Sequence, residues 1–289
     1  MIDAEPLFEI ATELGEGPLW VADQRMFYCI DVTGRTIWRR DIDARQTTSF
    51  RLAGMPGSIA HRSQGGLLAA LRNSLALLDF DLETETKLPV PVDFGKERFN
   101  DGKCDRRGRF FVGTIDRATT APVGGLYRLD ADLTMTRVAG DICLSNGIAW
   151  SPDDRTLYHC ESRPGYVYAY DYDIDEGTVS NRRIHIDLTS GKASPDGCTV
   201  DAEGCLWIAE CGAGAIGRYD PKGKRIGGID VPVGRPTSVM FGGDDLATLY
   251  ITSMRYDLSP EEIAAQPLAG CVLAARPGVR GLPETAFQG

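Results

Sequence analysis

"DGCTVDAEGCLWIAECG", residues 196–212, carries the unit from which this chain is built. A polar residue leads into a short apolar stretch, an Asp/Gly turn and a second, aromatic stretch. Asp bonds to nearby backbone and Gly tolerates positive φ, so "VDAEGC" reads as a tight turn between two strands. The same plan recurs in "NDGKCDRRGRFFVGTID" from Asn100, "NGIAWSPDDRTLYHCES" from Asn146 and "EGPLWVADQRMFYCIDV" from Glu16. "GSIAHRSQGGLLAALRN" from Gly57 and "TSVMFGGDDLATLYITS" from Thr237 are looser copies. Further strand-like segments follow them, among them "TIWRRDID", "LALLDFD", "YVYAYDYD" and "AIGRYDPKG". The copies start roughly 40 to 50 residues apart, the repeat length of propeller blades.

Six such copies predict an all-β protein, a six-bladed β-propeller with four-stranded antiparallel blades around a central channel. A pair of β-sandwiches also uses short strands with regular turns. The constant order inside each copy favours the propeller. The expected domain is the whole of residues 1–289, its ring closed by an N-terminal strand from "PLFEIATEL" (6–14) pairing with the last blade. The clearest helix-like segment is "LSPEEIAAQ" (258–266), with Ser259 as cap and Pro260 at the first position.

With 43% apolar and 25% charged residues, the chain has the composition of a folded protein. Its net charge of -10 argues against a nucleic-acid partner. That charge also disfavours a strongly anionic substrate, unless a local basic pocket overrides it. The first twenty residues have neither a basic start nor an apolar core, and no apolar run approaches the ~20 residues of a membrane helix. The expectation is a cytoplasmic protein with no membrane partner. The eight cysteines form no C-x-x-C and several stand in apolar runs such as "FYCIDV", which predicts reduced, buried thiols. His61, His159 and His185 are not paired at metal spacing, and no G-x-S-x-G elbow is present. "GAGAIG" (212–217) matches a dinucleotide fingerprint, but Pro221 and Gly223 stand where its helix must run, so it reads as a hairpin.

Alignment of the copies gives Glu16, Gly57, Asn100, Asn146, Asp196 and Thr237 one shared position, just before the innermost strand of each blade. Ring symmetry directs all six towards one mouth of the channel. Glu16, Asn100, Asn146 and Asp196 offer carboxylate and amide oxygens, a hard ligand set for Ca²⁺, Mg²⁺ or Mn²⁺. Taken singly, each is equally a turn-forming residue. Asp105, Asp201 and the Asp153/Asp154 pair fall in hairpins beside Gly or Pro and, with Glu203, are assigned to architecture.

The segments "LGEGPLW" (14–20), "RFNDGKCDRRGRFFVGT" (98–114), "GGLYRLD" (124–130), "LSNGIAWSPDDRTLY" (144–158) and "PDGCTVDAEGCLWIA" (195–209) follow in order along the chain. Together they resemble the SMP-30/gluconolactonase/LRE-like family, the regucalcin-type lactonases, over nearly the whole length. The resemblance implies a six-bladed propeller with one divalent cation held by Glu16, Asn146 and Asp196. It implies substrate contacts from Arg98 and Asn100, with Asn100 near the cation as well. The implied reaction is hydrolysis of a sugar lactone to its aldonic acid, with the cation polarising the carbonyl or acidifying water and Asp196 as general base. Ca²⁺ is the first choice of cation; Mg²⁺, Mn²⁺, Fe²⁺ and Zn²⁺ also suit such a site. Some members carry an acidic substrate contact after "GT" (113–114), but "IDRATTAPVGG" has no Glu there, and Asp116 is the substitute candidate. The alternatives are a non-enzymatic calcium-binding or interaction propeller, and a metal-dependent hydrolase of another ester or phosphoester. A pure binding module would not need Arg98 and Asn100 beside the cation ligands.

Overall fold

The structure is a computed structural model that describes residues 4–8, 10–90 and 95–289. Its strands form where the sequence carries continuous apolar runs, because a blade packed on both faces leaves its inner strands no polar side. "MFYCID" (Met26–Asp31), "LLAAL" (Leu67–Leu71) and "FFVGTID" (Phe110–Asp116) are buried along almost their full length. The outermost strands, such as Thr84–Leu88 and Thr178–Asp187, are largely exposed and polar.

These strands make six four-stranded antiparallel sheets, and in five of them the strands run in chain order from the channel outward. The innermost strands are Gly15–Val21, Pro56–His61, Glu97–Cys104, Ser145–Trp150, Ser194–Val200 and Pro236–Gly242, and they head blades 1 to 6. Each touches the innermost strand of the next blade, and the sixth touches the first, so they ring the channel. The molecule is a six-bladed β-propeller. Blade 6 draws its outermost strand from the other end of the chain: Glu5–Phe8 pairs antiparallel with Val272–Ala275. Glu9, part of the stretch expected to close the ring, lies outside the described residues.

Neighbouring blades are locked by edge-on aromatic contacts. Phe111 meets Trp150 at 5.3 Å between ring centres, and Trp207 meets Phe241 at 5.9 Å. Phe27 and Tyr250 meet at 4.9 Å across the junction between the first and last blades.

The hairpin aspartates act as expected, and their role extends beyond the turn. Asp201 Oδ1 accepts from the backbone N–H of Glu203 and Cys205, while Gly204 takes φ +81, a conformation open to glycine at little cost. Its Oδ2 accepts from Trp207 Nε1 and from the Arg218 guanidinium. Asp105 is bonded in the same way to Arg109 and to Tyr172 of the neighbouring blade. "GAGAIG" forms the turn and first residues of the hairpin between Leu206–Cys211 and Ala215–Tyr219. The helix is Pro260–Ala265, and Ser259 and Glu262 exchange side-chain-to-backbone bonds in a capping box. All eight cysteines are free thiols. Among the described residues no helix is long and apolar enough to cross a membrane.

The C-terminal segment lies across the channel mouth where these hairpins turn. Arg280 O accepts from Ala202 N, Gly281 N donates to Leu246 O, and Phe287 N donates to His61 O. Phe287 is wholly buried, and Glu284 pairs with Lys103 at 2.9 Å. The opposite mouth is the one that carries the polar ring.

Candidate active site

Every innermost strand breaks its pairing near the open mouth. In blade 3 the partners Phe99↔Thr114 and Gly102↔Val112 leave Asn100 and Asp101 opposite the single residue Gly113. In blades 4 and 5 the corresponding pairs are Asn146–Gly147 and Asp196–Gly197, and in blade 1 Gly17–Pro18. Blades 2 and 6 carry one extra residue each, Gly57 and Thr237. A β-bulge of this kind bends the strand and re-aims its side chains. Asn100, Asn146 and Asp196 therefore lie inside the innermost strands, not ahead of them as expected, because the strand starts before its bulge. Glu16 sits one residue ahead of its own bulge, so its alignment with the other three is off by one.

The bulges bring the polar side chains into one network. Asn100 Nδ2 donates to Asn146 Oδ1 at 2.7 Å and to Ser145 O at 2.8 Å. Asn146 Nδ2 donates to Ser162 Oγ at 2.7 Å, and Ser162 Oγ donates to Pro195 O at 2.6 Å. Arg98 Nη1 donates to Asn100 Oδ1 at 2.9 Å. The chain of bonds thus runs from Arg98 to the residue before Asp196.

Three carboxylates complete the ring. Asp196 is 9% exposed, and its Oδ1 is buried with no hydrogen-bond partner. Burial raises its pKa well above the usual aspartate value, and the Asp101 charge adds to that. Glu16 is raised well above its ordinary value by burial, then by Asp196 and Asp101. Asp101 is pushed up to about 6, chiefly by burial. Asp101 hinders the ionisation of Asp196 and of Glu16, and Asp196 that of Glu16, so ionising the three together is costly. A cation reverses that balance by giving each charged oxygen an attractive partner. Glu16, Asn146 and Asp196, with Asp101 and Asn100 beside them, carry hard oxygens of the type that could hold a divalent ion, and the orphaned Oδ1 fits that role.

Asp101 was not singled out in the sequence. At its position in the bulge the copies from Asn146 and Asp196 carry glycine, and that departure was the available signal. Asp116 does not face the site as a free acid. It is 3% exposed, and its oxygens accept from the backbone of Ala118, Thr120 and Ala121, which holds it below the usual range. Asp201, Glu203 and Cys205 bring their ligand atoms within 4.8 Å of one another, yet Asp201 already accepts five hydrogen bonds and is paired with Arg218. No oxygen of Asp201 is left for an ion. His159 bonds Ser145 Oγ at 2.7 Å, but both are fully buried, and burial takes the imidazole down to about 3. With no partner on its Nδ1 this pair is a core contact, not a nucleophile and base.

A family model described as the SMP-30/Gluconolactonase/LRE-like region matches residues 14–255. The chain belongs to this family. Its relatives include a 6-deoxy-6-sulfogluconolactonase from Pseudomonas putida, 37% identical over 96% of this chain and 95% of that one. Regucalcin from Danio rerio is 35% identical over 100% and 99%. Among solved structures, regucalcin from Agrobacterium tumefaciens, described as a calcium-binding protein, superposes with a TM-score of 0.93 at 28% identity, covering 99% and 98% of the two chains. In this family member the polar ring of the open mouth is thus built from Glu16, Asn100, Asp101, Asn146 and Asp196.

Proposed function

We propose that this protein is a lactonase that opens a sugar lactone to the aldonic acid with the help of one divalent cation. The observation that carries the reading is the buried, unpartnered Asp196 Oδ1 among two further carboxylates, next to the Arg98–Asn100 pair. The names of the lactonase relative and of the family support the reaction class. Glu16, Asn146 and Asp196 would hold the ion, and Ca²⁺ is the first to test, since one solved relative is described as calcium-binding. When bound, the ion supplies Lewis acidity towards the lactone carbonyl and acidifies water.

The chain's own residues do the rest. Asp196 has two oxygens, so one is free to accept the proton of the attacking water while the other stays engaged. Its carboxyl must be ionised to do so, and neutralisation of the surrounding acid cluster achieves that. Arg98 Nη1 is held by Phe99 O and Asn100 Oδ1, and its other N–H groups, which have no partner among the described residues, can donate to the lactone oxygens and to the charge that develops on attack. Asn100 bridges Arg98 to Asn146 and so fixes the substrate contact relative to the ligand ring.

The test is a pH-indicator assay of ring opening on a panel of sugar lactones. Opening that stops with EDTA, returns with added cation and is lost in Asp196→Asn supports the proposal. Turnover indifferent to chelation or to Asp196→Asn would sink it.

A further inference from the structure

Beside the polar ring, the open mouth carries three arginines, Arg72, Arg98 and Arg117. Arg98 lies in the innermost strand of blade 3, and Arg117 follows the adjacent strand Phe110–Asp116. Arg72 follows Leu67–Leu71 of blade 2, and the pairings Pro56↔Leu71 and Glu97↔Asp116 put both strand ends at this mouth. Hydrogen bonds tie the three into one patch. Phe99 N donates to Arg72 O at 3.1 Å, and Arg117 Nη2 donates to Asn73 Oδ1 at 3.0 Å. Arg117 Nε donates to Glu97 O at 2.9 Å, and Arg98 Nη1 to Phe99 O and Asn100 Oδ1. Every one of these side-chain acceptors is a neutral carbonyl or amide oxygen.

Among the described residues none of the three guanidiniums forms an ion pair. Their charges are close enough that Arg72 and Arg117 both hinder protonation of Arg98, which burial and these neighbours take down to about 10. Glu16 partly offsets the Arg98 charge, and two further acids nearby are occupied elsewhere. Glu97 accepts from Thr114 Oγ1, and Asp116 is turned inward onto its own loop while Arg117 is exposed. In a chain with 41 acidic and 31 basic residues, three clustered guanidiniums with no ion pair among the described residues are a built feature. Guanidiniums grouped in this way recognise oxyanions through charge-assisted, often bidentate bonds.

We propose that Arg72 and Arg117, beyond Arg98, form an anion subsite, and that the lactone opened here carries a negative group on the carbon farthest from its carbonyl. The inference rests on the lactonase reading for its substrate and on the patch itself for its charge. Arg98 links the two regions, reaching the ligand ring through Asn100 on one side and facing Arg72 and Arg117 on the other. A sulfonate or carboxylate supplies the shared chemistry. The net charge of the protein does not decide the matter, because distant charges are screened and groups in contact with the substrate dominate.

The test compares kcat/KM on neutral gluconolactone with that on its analogues bearing a sulfonate or a carboxylate at the terminal carbon. The wild type is expected to favour an anionic lactone by at least about tenfold, as one charge-assisted contact is worth about that much. Arg72→Gln and Arg117→Gln together remove the preference and change the neutral rate less than about threefold, and added salt erodes the preference in the wild type. Equal use of neutral and anionic lactones by the wild type, or equal losses on both in the double variant, overturns the proposal. If the wild type opens no lactone, the lactonase reading fails by itself. Calorimetry with the open-chain sulfonated gluconate against plain gluconate then reads the subsite. Tighter binding of the sulfonate by the wild type but not by the double variant supports it, and no difference overturns it.

Discussion

A single carboxylate oxygen, Asp196 Oδ1, carries most of the functional argument, because a buried acceptor without a donor is costly unless an ion completes it. Replacing Asp196 by Asn should cut lactone opening by about 10³-fold, the range of a lost general base. The cation-induced rise in Tm should disappear with it, while the cation-free protein stays folded by circular dichroism. A variant that keeps the cation-induced rise would remove Asp196 from the ligand set. Asp101 adds a pH signature. Its folded pKa of about 6 lies above the unfolded value of about 3.9, so its contribution to stability is fully present below pH ~4 and lost as pH rises through ~6. The loss is roughly 2–3 kcal/mol for this group, and Glu16 and Asp196 shift in the same direction. Added Ca²⁺ should therefore raise Tm little at pH 4 and progressively more above pH 6. Thermal melts with and without Ca²⁺ between pH 4 and 8 check this, and a pH-independent increment would contradict it.

Strands position these residues through their bulges and through the close approach of one blade to the next. A Cβ on Gly147 would meet Asp196 O and Cys198 N at 2.6 Å, both of them backbone atoms of the neighbouring blade. Gly147→Ala should force the two innermost strands apart, costing about 1–3 kcal/mol and displacing Asn146 from Asp196. A fall in both Tm and kcat/KM is the expected result. The hairpin at Asp201 gives the opposite signature. Asp201→Asn leaves Arg218, only 18% exposed, without its buried partner and should cost about 3–5 kcal/mol in urea unfolding. Its cation affinity by calorimetry should be unchanged, since the Asp201 oxygens are saturated by Trp207, Arg218 and the turn backbone.

The two ends of the chain meet in blade 6, where Glu5–Phe8 pairs with Val272–Ala275. Phe8 is 7% exposed and meets Phe27 edge-on at 5.8 Å, so the closing strand also packs on blade 1. Deleting residues 1–8 should bare the edge of Val272–Ala275 and cost several kcal/mol, about what losing a buried Phe and a strand of ladder bonds implies. Differential scanning fluorimetry reads the loss. An unchanged Tm would mean that closure is carried by the aromatic junction of blades 1 and 6 alone.

The linear order of residues was enough for the repeat, the six blades, the hairpin aspartates and the capped helix, because each of these is written in contacts a few residues apart. "VDAEGC" turns the chain wherever it stands, and a continuous apolar run makes a two-sided strand whatever its neighbours. It was also enough to align Asn100, Asn146 and Asp196, since the bulges fall at the same point of the repeat. Ring closure decided the rest. Whether Asp101 faces Asp196, whether Asp116 is spent on its own loop, and whether Arg72 stands beside Arg98 depend on which side chains separate blades turn towards one another. Charges far apart in the chain interact only once folding has closed the distance and removed the water between them, so the electrostatics of the mouth belongs to the tertiary structure.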